Sequence, residues 1–228
     1  MTLFNIDASS STLDATLLTL FAHLSTLSFN LEDTAFMIQG SSRSVPVFLK
    51  LIQCASQTLQ EIYFRNRSAC HPQLPQMQEH FLEKLFHAPQ ADEQAQEIPL
   101  VFPNLRMLTL RSMIFNTPSL IGFISQQPEL EYIRFEFSYL ATIGYTWDDV
   151  AVALPSSCKE LYIMNCGHER YTPQSPVAYN HIKPFNPYEH VSLGAQEWQT
   201  SDALFEQNGA TFRRCEQVSM DETLGSSG

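Results

Sequence analysis

The chain has 228 residues, of which 44% are hydrophobic and 16% are charged, and its 24 acidic and 13 basic side chains give a formal charge of −11. A disordered chain would combine low hydrophobicity with high charge, so this composition predicts a folded protein with a substantial core. The acidic balance argues against general binding to nucleic acids or anionic membranes, because phosphate groups are contacted by clustered lysines and arginines.

A short apolar pattern recurs along the chain: an apolar residue, two residues of any kind, an apolar residue, one residue of any kind and a third apolar residue. Its occurrences begin at Leu24, Leu59, Leu105, Leu130, Cys158, Tyr188 and, with poorer agreement, Cys215. Most of the intervals are about 25–30 residues, the length of one strand-plus-helix repeat. Each occurrence predicts a strand whose three apolar side chains face the core.

The segments before and between these strands have the spacing of helices. In chain order, helices are predicted over residues 13–22, 47–52, 75–88, 119–125, 150–154 and 202–207. Several are preceded by capping residues, such as Asn116 ahead of Pro118, and Asp148 or Asp149 ahead of Val150. Because a helix returns the chain to the same edge after each strand, the strands are expected to be parallel.

This order of elements predicts an α/β fold: a right-handed, leucine-rich-repeat-like solenoid of about six or seven units, with parallel strands on the concave face and helices outside. A doubly wound sheet has the same order and is the alternative. Its strands would be near-continuous apolar runs, whereas polar residues interrupt every strand here. The repeat domain is assigned to residues 1–220, with an acidic loop at 88–98 and a proline-rich connection at 167–187, and residues 221–228 are expected to be a disordered tail.

Three segments carry a family resemblance. Residues 102–110 read Phe-Pro-Asn-Leu-Arg-Met-Leu-Thr-Leu, residues 130–135 read Leu-Glu-Tyr-Ile-Arg-Phe, and residues 161–167 read Leu-Tyr-Ile-Met-Asn-Cys-Gly. They resemble the leucine-rich-repeat region of fungal F-box proteins. The resemblance implies the substrate-recognition part of a ubiquitin ligase receptor. No F-box motif is found in the first 40 residues, so the ligase adaptor is expected as a partner only if an F-box lies elsewhere or is not recognisable.

The start of the chain and its cysteines predict a cytoplasmic or nuclear protein. The first lysine or arginine is Arg43, so no positively charged segment precedes the early apolar stretch, as a secretory signal requires. That stretch, residues 13–31, is broken by polar side chains, and no membrane span is expected. The five scattered cysteines favour reduced thiols over a disulfide framework.

The strongest metal-ligand candidates are Cys158, Cys166 and His168. Structural zinc sites usually have two to four residues between the two members of a ligand pair, whereas Gly167 alone lies between Cys166 and His168. The repeat interprets both cysteines better, because Cys166 falls where leucine-rich repeats favour Asn or Cys. Buried thiols are therefore predicted, with no metal and no cofactor. No nucleophile-elbow, phosphate-loop or zinc-protease motif is found, so no catalytic residue is assigned and no enzymatic activity is expected.

The polar residues of the predicted strands are the candidates for binding a partner on the concave face. They are Tyr63, Arg65, Arg111, Arg134, Glu136, Tyr162 and Met164. Tyrosine and arginine often dominate interfaces, and arginine binds carboxylate or phosphate bidentately. The predicted function is a protein-interaction module for an acidic or phosphorylated segment. Two alternatives remain: a structural or scaffold repeat protein unconnected with ubiquitin, and a neutral surface network in which Arg134 pairs with Glu136 or Glu131.

Overall fold

Short helices and two sheets make up the described part of the chain. The computed structural model describes residues 15–31, 51–66, 100–168, 183–184, 198–200 and 209–214. The helices in these ranges are α1 (Ala15–Phe21), α2 (Thr117–Ser125) and α3 (Trp147–Val152), and residues 51–55 are also helical. None of the helices in these ranges has the length and apolar character needed to cross a membrane.

The larger sheet contains the strands that the recurring pattern predicts. In chain order they are β1 (Thr26–Leu31), β2 (Glu61–Asn66), β3 (Met107–Arg111), β5 (Tyr132–Glu136), β7 (Glu160–Met164), β10 (Trp198–Thr200) and β11 (Gly209–Arg214). Their order across the sheet is β1-β2-β3-β5-β7-β11-β10. The first five are parallel and equivalent residues lie opposite one another, as Leu27, Ile62 and Leu108 do. The parallel arrangement is confirmed for these five strands.

The end of this sheet departs from the prediction of parallel strands throughout. β11 pairs antiparallel with β7, and β10 pairs antiparallel with β11, so the sheet is mostly rather than wholly parallel. The connection between β10 and β11, residues 201–208, is too short for a parallel crossover, which needs a dozen or more residues. The strands predicted near 188–193 and 215–220 lie outside the described residues, as do the helices predicted at 75–88 and 202–207, the loop at 88–98 and the tail at 221–228.

A second, smaller sheet runs beside the larger one. Its strands are β4 (Ile114–Phe115), β6 (Tyr139–Leu140), β8 (Gly167–His168) and β9 (Lys183–Pro184). The first three are parallel, and β9 pairs antiparallel with β8. The segment assigned as a proline-rich connection therefore begins in this sheet, and it returns to it at β9.

The same backbone bend follows three consecutive strands of the larger sheet. Ser112, Phe137 and Asn165 have φ angles of 56°, 50° and 49°, and they come directly after β3, β5 and β7. This left-handed conformation is uncommon for residues other than glycine. The N–H of Ser112 donates to the carbonyl of Glu136 (2.7 Å), and the N–H of Phe137 donates to that of Met164 (2.8 Å). The first two bends are thus hydrogen-bonded to the end of the next strand, and all three lead the chain towards the smaller sheet.

The apolar residues of the recurring pattern form the core between the sheet and the helices. Those fully buried in the central units are Leu105, Leu108, Leu110, Leu130, Ile133, Phe135, Cys158, Leu161 and Ile163. Phe135 packs on Phe115 (ring centroids 5.9 Å apart) and on Trp147 (4.8 Å). The prediction that these side chains face inward is confirmed, and the alternate residues of the strands point to the opposite face of the sheet.

The helix starts agree with the sequence in one case and correct it in another. Asn116 caps α2, with its Oδ1 accepting from the N–H of Ser119 at 3.2 Å. α3 begins at Trp147, earlier than predicted, and Thr146 rather than an aspartate is its N-cap. Asp149 instead reaches back to accept from the N–H of Thr146 (2.7 Å) and from its hydroxyl (2.9 Å). Trp147, the first residue of α3, is buried, and its Nε1–H donates to the carbonyl of Gly167 (3.1 Å).

Candidate functional site

One face of the larger sheet points away from the core, and its side chains form three rows across β2, β3, β5 and β7. Side chains alternate along a strand, so residues two apart share a face. The first row is Glu61, Met107, Tyr132 and Glu160. The second row is Tyr63, Thr109, Arg134 and Tyr162. The third row is Arg65, Arg111, Glu136 and Met164. All seven predicted binding residues lie together in the second and third rows of this exposed sheet face.

Glu136 is the centre of the cluster. Its side chain is only 7% exposed, and its Oε2 lies 3.1 Å from Nη1 of Arg111 on the neighbouring strand. Its Oε1 pairs with Nε of Arg134, two residues earlier on the same strand. A buried carboxylate requires compensation of this kind, because removing an ion from water is costly unless it is paired and hydrogen-bonded. The position of one acidic side chain therefore fixes the positions of two guanidinium groups.

The same two guanidinium groups also lie over aromatic rings. Cζ of Arg134 lies 4.2 Å from the ring centroid of Tyr162, and Cζ of Arg111 lies 5.2 Å from that of Phe137. The hydroxyl of Tyr162 donates to Sδ of Met164 at 3.3 Å. The two distances between guanidinium carbon and ring centroid fall within the range of cation–π attraction. The sequence interpretation missed Phe137, because it lies in the left-handed bend just after β5 and outside the strand alternation.

Arg65 extends the cluster along the third row. It lies opposite Arg111 in the parallel register, is half-buried, and makes no ion pair with the residues that the structure describes. Three guanidinium charges against the one carboxylate of Glu136 leave a net charge of +2 in a chain with a formal charge of −11. The second and third rows are therefore a local cationic site on an acidic protein.

The structure contains part of the neutral surface network that was the alternative to a cationic binding site. Arg134 does pair with Glu136, as that alternative held, but Glu136 is shared with Arg111 and neutralises only one of the two charges. Glu131 pairs instead with Lys159, with Nζ 2.9 Å from Oε2. The hydrogen bond from Lys159 lowers the pKa of Glu131, and the same bond raises the pKa of Lys159. Glu131 is thus engaged away from Arg134.

Two exposed apolar side chains lie on the first row, and the sequence interpretation did not select them. Met107 and Tyr132 are opposite each other in register and are 41% and 39% exposed. Glu61 and Glu160 flank them on the outer strands. The alternation that selected the second and third rows also places these residues outward, so their position could have been read from the pattern.

The cysteines predicted as buried thiols are buried. The Sγ atoms of Cys158 and Cys166 contact the carbonyl oxygens of Glu160 (3.6 Å) and Met164 (3.3 Å). Burial raises the pKa of each thiol to about 12, so both remain protonated near neutral pH and are poor nucleophiles. Among the described residues, no group of three or more His, Cys, Asp or Glu side chains is placed to hold a metal ion.

Comparison with known proteins gives no relative. No family model, no curated protein and no solved structure matches the chain. The geometry of the exposed sheet face therefore carries the functional argument.

Proposed function

We propose that the chain is a non-enzymatic protein-interaction module whose exposed sheet face binds an acidic or phosphorylated segment of a partner protein. One observation carries the proposal: the buried carboxylate of Glu136 and two aromatic rings hold Arg111 and Arg134 side by side, next to Arg65. Such a cluster favours carboxylate or phosphate ligands, because the planar guanidinium group offers several N–H donors in a fixed geometry.

Pre-organisation strengthens this argument. A flexible arginine loses side-chain entropy when it binds, whereas a guanidinium group already held by neighbours loses less. Arg111 and Arg134 are 32% and 46% exposed, so part of each group remains accessible to solvent while Glu136 occupies another part. A partner's anionic group would therefore meet donors that are already oriented.

The architecture that we propose is a right-handed, leucine-rich-repeat-like solenoid with the exposed sheet face on its concave side. Three features support it: the parallel strands β1 to β7 pair without offset, a left-handed bend follows β3, β5 and β7, and β4, β6 and β8 repeat in the same order. Met113, Ser138 and Cys166 occupy equivalent buried positions after the bends, and Cys166 fits the position where such repeats favour Asn or Cys.

We also propose, from the sequence resemblance, that these repeats are the substrate-recognition part of an F-box-type receptor of fungal kind, acting in the cytoplasm or nucleus. The strand segments that carry the resemblance are β3, β5 and β7, and two of them, β3 and β5, also carry Arg111 and Arg134 of the arginine cluster. The alternative is a structural or scaffold protein unconnected with ubiquitin. Nucleic acid, membrane, metal and cofactor have no part in either proposal.

Affinity purification from cells tests both levels of the proposal. The tagged full chain is compared with Arg65→Gln and with the control Arg106→Gln, which removes one exposed positive charge outside the three rows. We expect specific partners that are retained by the control and lost from Arg65→Gln. If the bound segment is phosphorylated, phosphatase treatment of the lysate removes them as well. A partner set that is equal in all three chains would contradict the binding site, and recovery of a cullin-ligase adaptor distinguishes the receptor from the scaffold.

A further inference from the structure

We infer that the bound segment also carries an apolar side chain, about three to five residues away from its anionic residue and seated on Met107 and Tyr132. This inference deepens the proposed function and rests on it. It gives the exposed sheet face two ends: a cationic end at the third row and an apolar end at the first row.

The spacing follows from strand geometry. Met107 and Arg111 are the first and last residues of β3, and Tyr132 and Glu136 are those of β5. Four residues of strand span about 13 Å, since each residue advances the chain by about 3.3 Å. An extended ligand has nearly the same rise, so a side chain about four residues from an anion bound at Arg111 would lie over Met107 and Tyr132. The length of the arginine side chains widens this to the stated range.

The apolar end has the character of a binding surface. Met107 and Tyr132 are large, adjacent across two strands and about two-fifths exposed. Methionine adapts to the shape of an apolar partner, and tyrosine offers a rigid contact area at a low entropic cost. Between the two ends, β3 carries only Thr109, which is small and buried, so no long side chain of this strand blocks a ligand that runs along it.

The charges of the sheet face determine which of its two ends receives the anionic residue of the ligand. Glu61 and Glu160 flank the apolar pair, and an ion pair of Glu160 with Nε of Arg213 (3.7 Å) offsets only part of this negative charge, because Glu61 makes no such pair within the described residues. A segment bound in the opposite direction would place its anionic group beside these carboxylates and its apolar group among the arginines. Like charges at close range are unfavourable, so the anionic residue is expected at the third row.

A peptide series tests the inference with the full chain. Each peptide contains one phosphoserine and one leucine in a Ser/Gly background, with the leucine one to seven positions away from the phosphoserine along the sequence. Matched peptides replace the leucine with serine or the phosphoserine with glutamate. We expect the tightest binding at about three to five positions, and about a tenfold loss when leucine is replaced by serine. The double variant Met107→Ser/Tyr132→Ser should lose this leucine preference and keep its dependence on the phosphate. The control Ile143→Ser, which alters an exposed apolar residue outside the three rows, should bind like the parent chain.

The outcomes separate the inference from the proposed function. Phosphate-dependent binding that is the same at every spacing and indifferent to leucine overturns the inference and leaves the proposed function standing. No binding of any phosphoserine or glutamate peptide overturns both. Reversible dimerisation that Met107→Ser/Tyr132→Ser abolishes, with no leucine preference in the peptides, assigns the apolar pair to a second copy of the chain and also overturns the inference.

Discussion

Arg111 and Glu136 form an ion pair across two parallel strands, with Nη1 3.1 Å from Oε2 and the carboxylate almost entirely buried. The two residues lie directly opposite each other in the register of β3 and β5. The pair therefore ties together the last residues of both strands at the point where the chain bends. The same arginine belongs to the proposed binding site, so the stability of the sheet and the binding of a partner depend on one interaction.

Removal of Arg111 is expected to destabilise the fold through Glu136. The variant Arg111→Ala leaves the carboxylate with Arg134 alone, and we expect the free energy of unfolding to fall by about 1–3 kcal/mol. Glu136→Gln removes the buried charge, so Arg111→Ala should cost less in that background. Urea unfolding of the two single variants and the double variant measures the coupling. Additive changes would show that Glu136 does not depend on Arg111.

Arg65 offers a cleaner test of binding, because it makes no ion pair within the described residues. Arg65→Gln should weaken the binding of a phosphoserine peptide about tenfold, the scale of one charge-assisted hydrogen-bonding group, with little change in the melting temperature. Fluorescence anisotropy at two salt concentrations measures both the affinity and its salt dependence, which should decrease in the variant. Arg106→Gln is the charge-matched control, and an equal loss in both variants would indicate a general charge effect instead of a site.

The buried thiols predict a pH dependence. Folding raises the pKa of Cys166 from an ordinary 9.0 to about 12, so between these values the unfolded chain loses a proton that the folded chain retains. Stability should therefore be fully present below about pH 9 and decrease above it, by up to about 1.4 kcal/mol per pH unit for one such thiol. Urea unfolding at about pH 8 and about pH 10 compares the parent chain with Cys166→Ala, which should lose less stability at the higher pH. Identical decreases would contradict the raised pKa.

The same burial predicts low reactivity. In the folded protein near neutral pH, Cys158 and Cys166 should resist a maleimide reagent, and both should react once urea unfolds the chain. Mass spectrometry of the labelled peptides identifies each cysteine separately. Rapid labelling of either thiol in the folded protein would show that it is accessible as a thiolate.

Gln127 makes buried hydrogen bonds through its amide group, and we expect a large loss of stability when this group is removed. Its Nε2 donates to the carbonyls of Leu100 (3.0 Å) and Phe123 (2.7 Å), and its Oε1 accepts from the N–H of Phe102 (2.8 Å). Gln127→Leu would leave three buried backbone groups without this partner, and we expect a loss of about 2–4 kcal/mol. Gln126→Leu, at the exposed neighbouring position, is the control and should change stability by less than about 0.5 kcal/mol. Comparable losses in the two variants would mean that the amide is not a structural link.

The parallel strands and the core could be predicted from the sequence, because burial imposes the alternation of Leu108, Leu110 and their equivalents. The same alternation placed the seven candidate residues on one face. It could not show that Glu136 is shared by two arginines, since that depends on the register between strands and on side-chain reach. The smaller sheet was missed because strands of two residues are too short to show a period.

The bends and the end of the larger sheet escaped prediction for different reasons. Phe137 has a left-handed backbone although a large side chain disfavours that conformation, so no turn residue marks the bend. The bend is accompanied by a hydrogen bond from the N–H of Phe137 to the carbonyl of Met164 (2.8 Å), which depends on the neighbouring strand. The strands β10 and β11 are antiparallel because the connection between them is too short for a parallel crossover. The recurring apolar pattern instead predicted strands near 188–193 and 215–220, next to β10 and β11 in the sequence.

NMR of the arginine side chains shows whether Arg65, Arg111 and Arg134 together bind the anionic segment. In the isotope-labelled full chain, the Nε–H resonances of the arginines are assigned by substitution and followed by NMR during titration with a phosphoserine peptide that carries leucine four positions away. We expect saturable shifts for Arg65, Arg111 and Arg134, and unchanged resonances for Arg106. Shifts that spread evenly over all the arginines, or none at Arg65, Arg111 and Arg134 while the peptide binds, would contradict the proposed binding site.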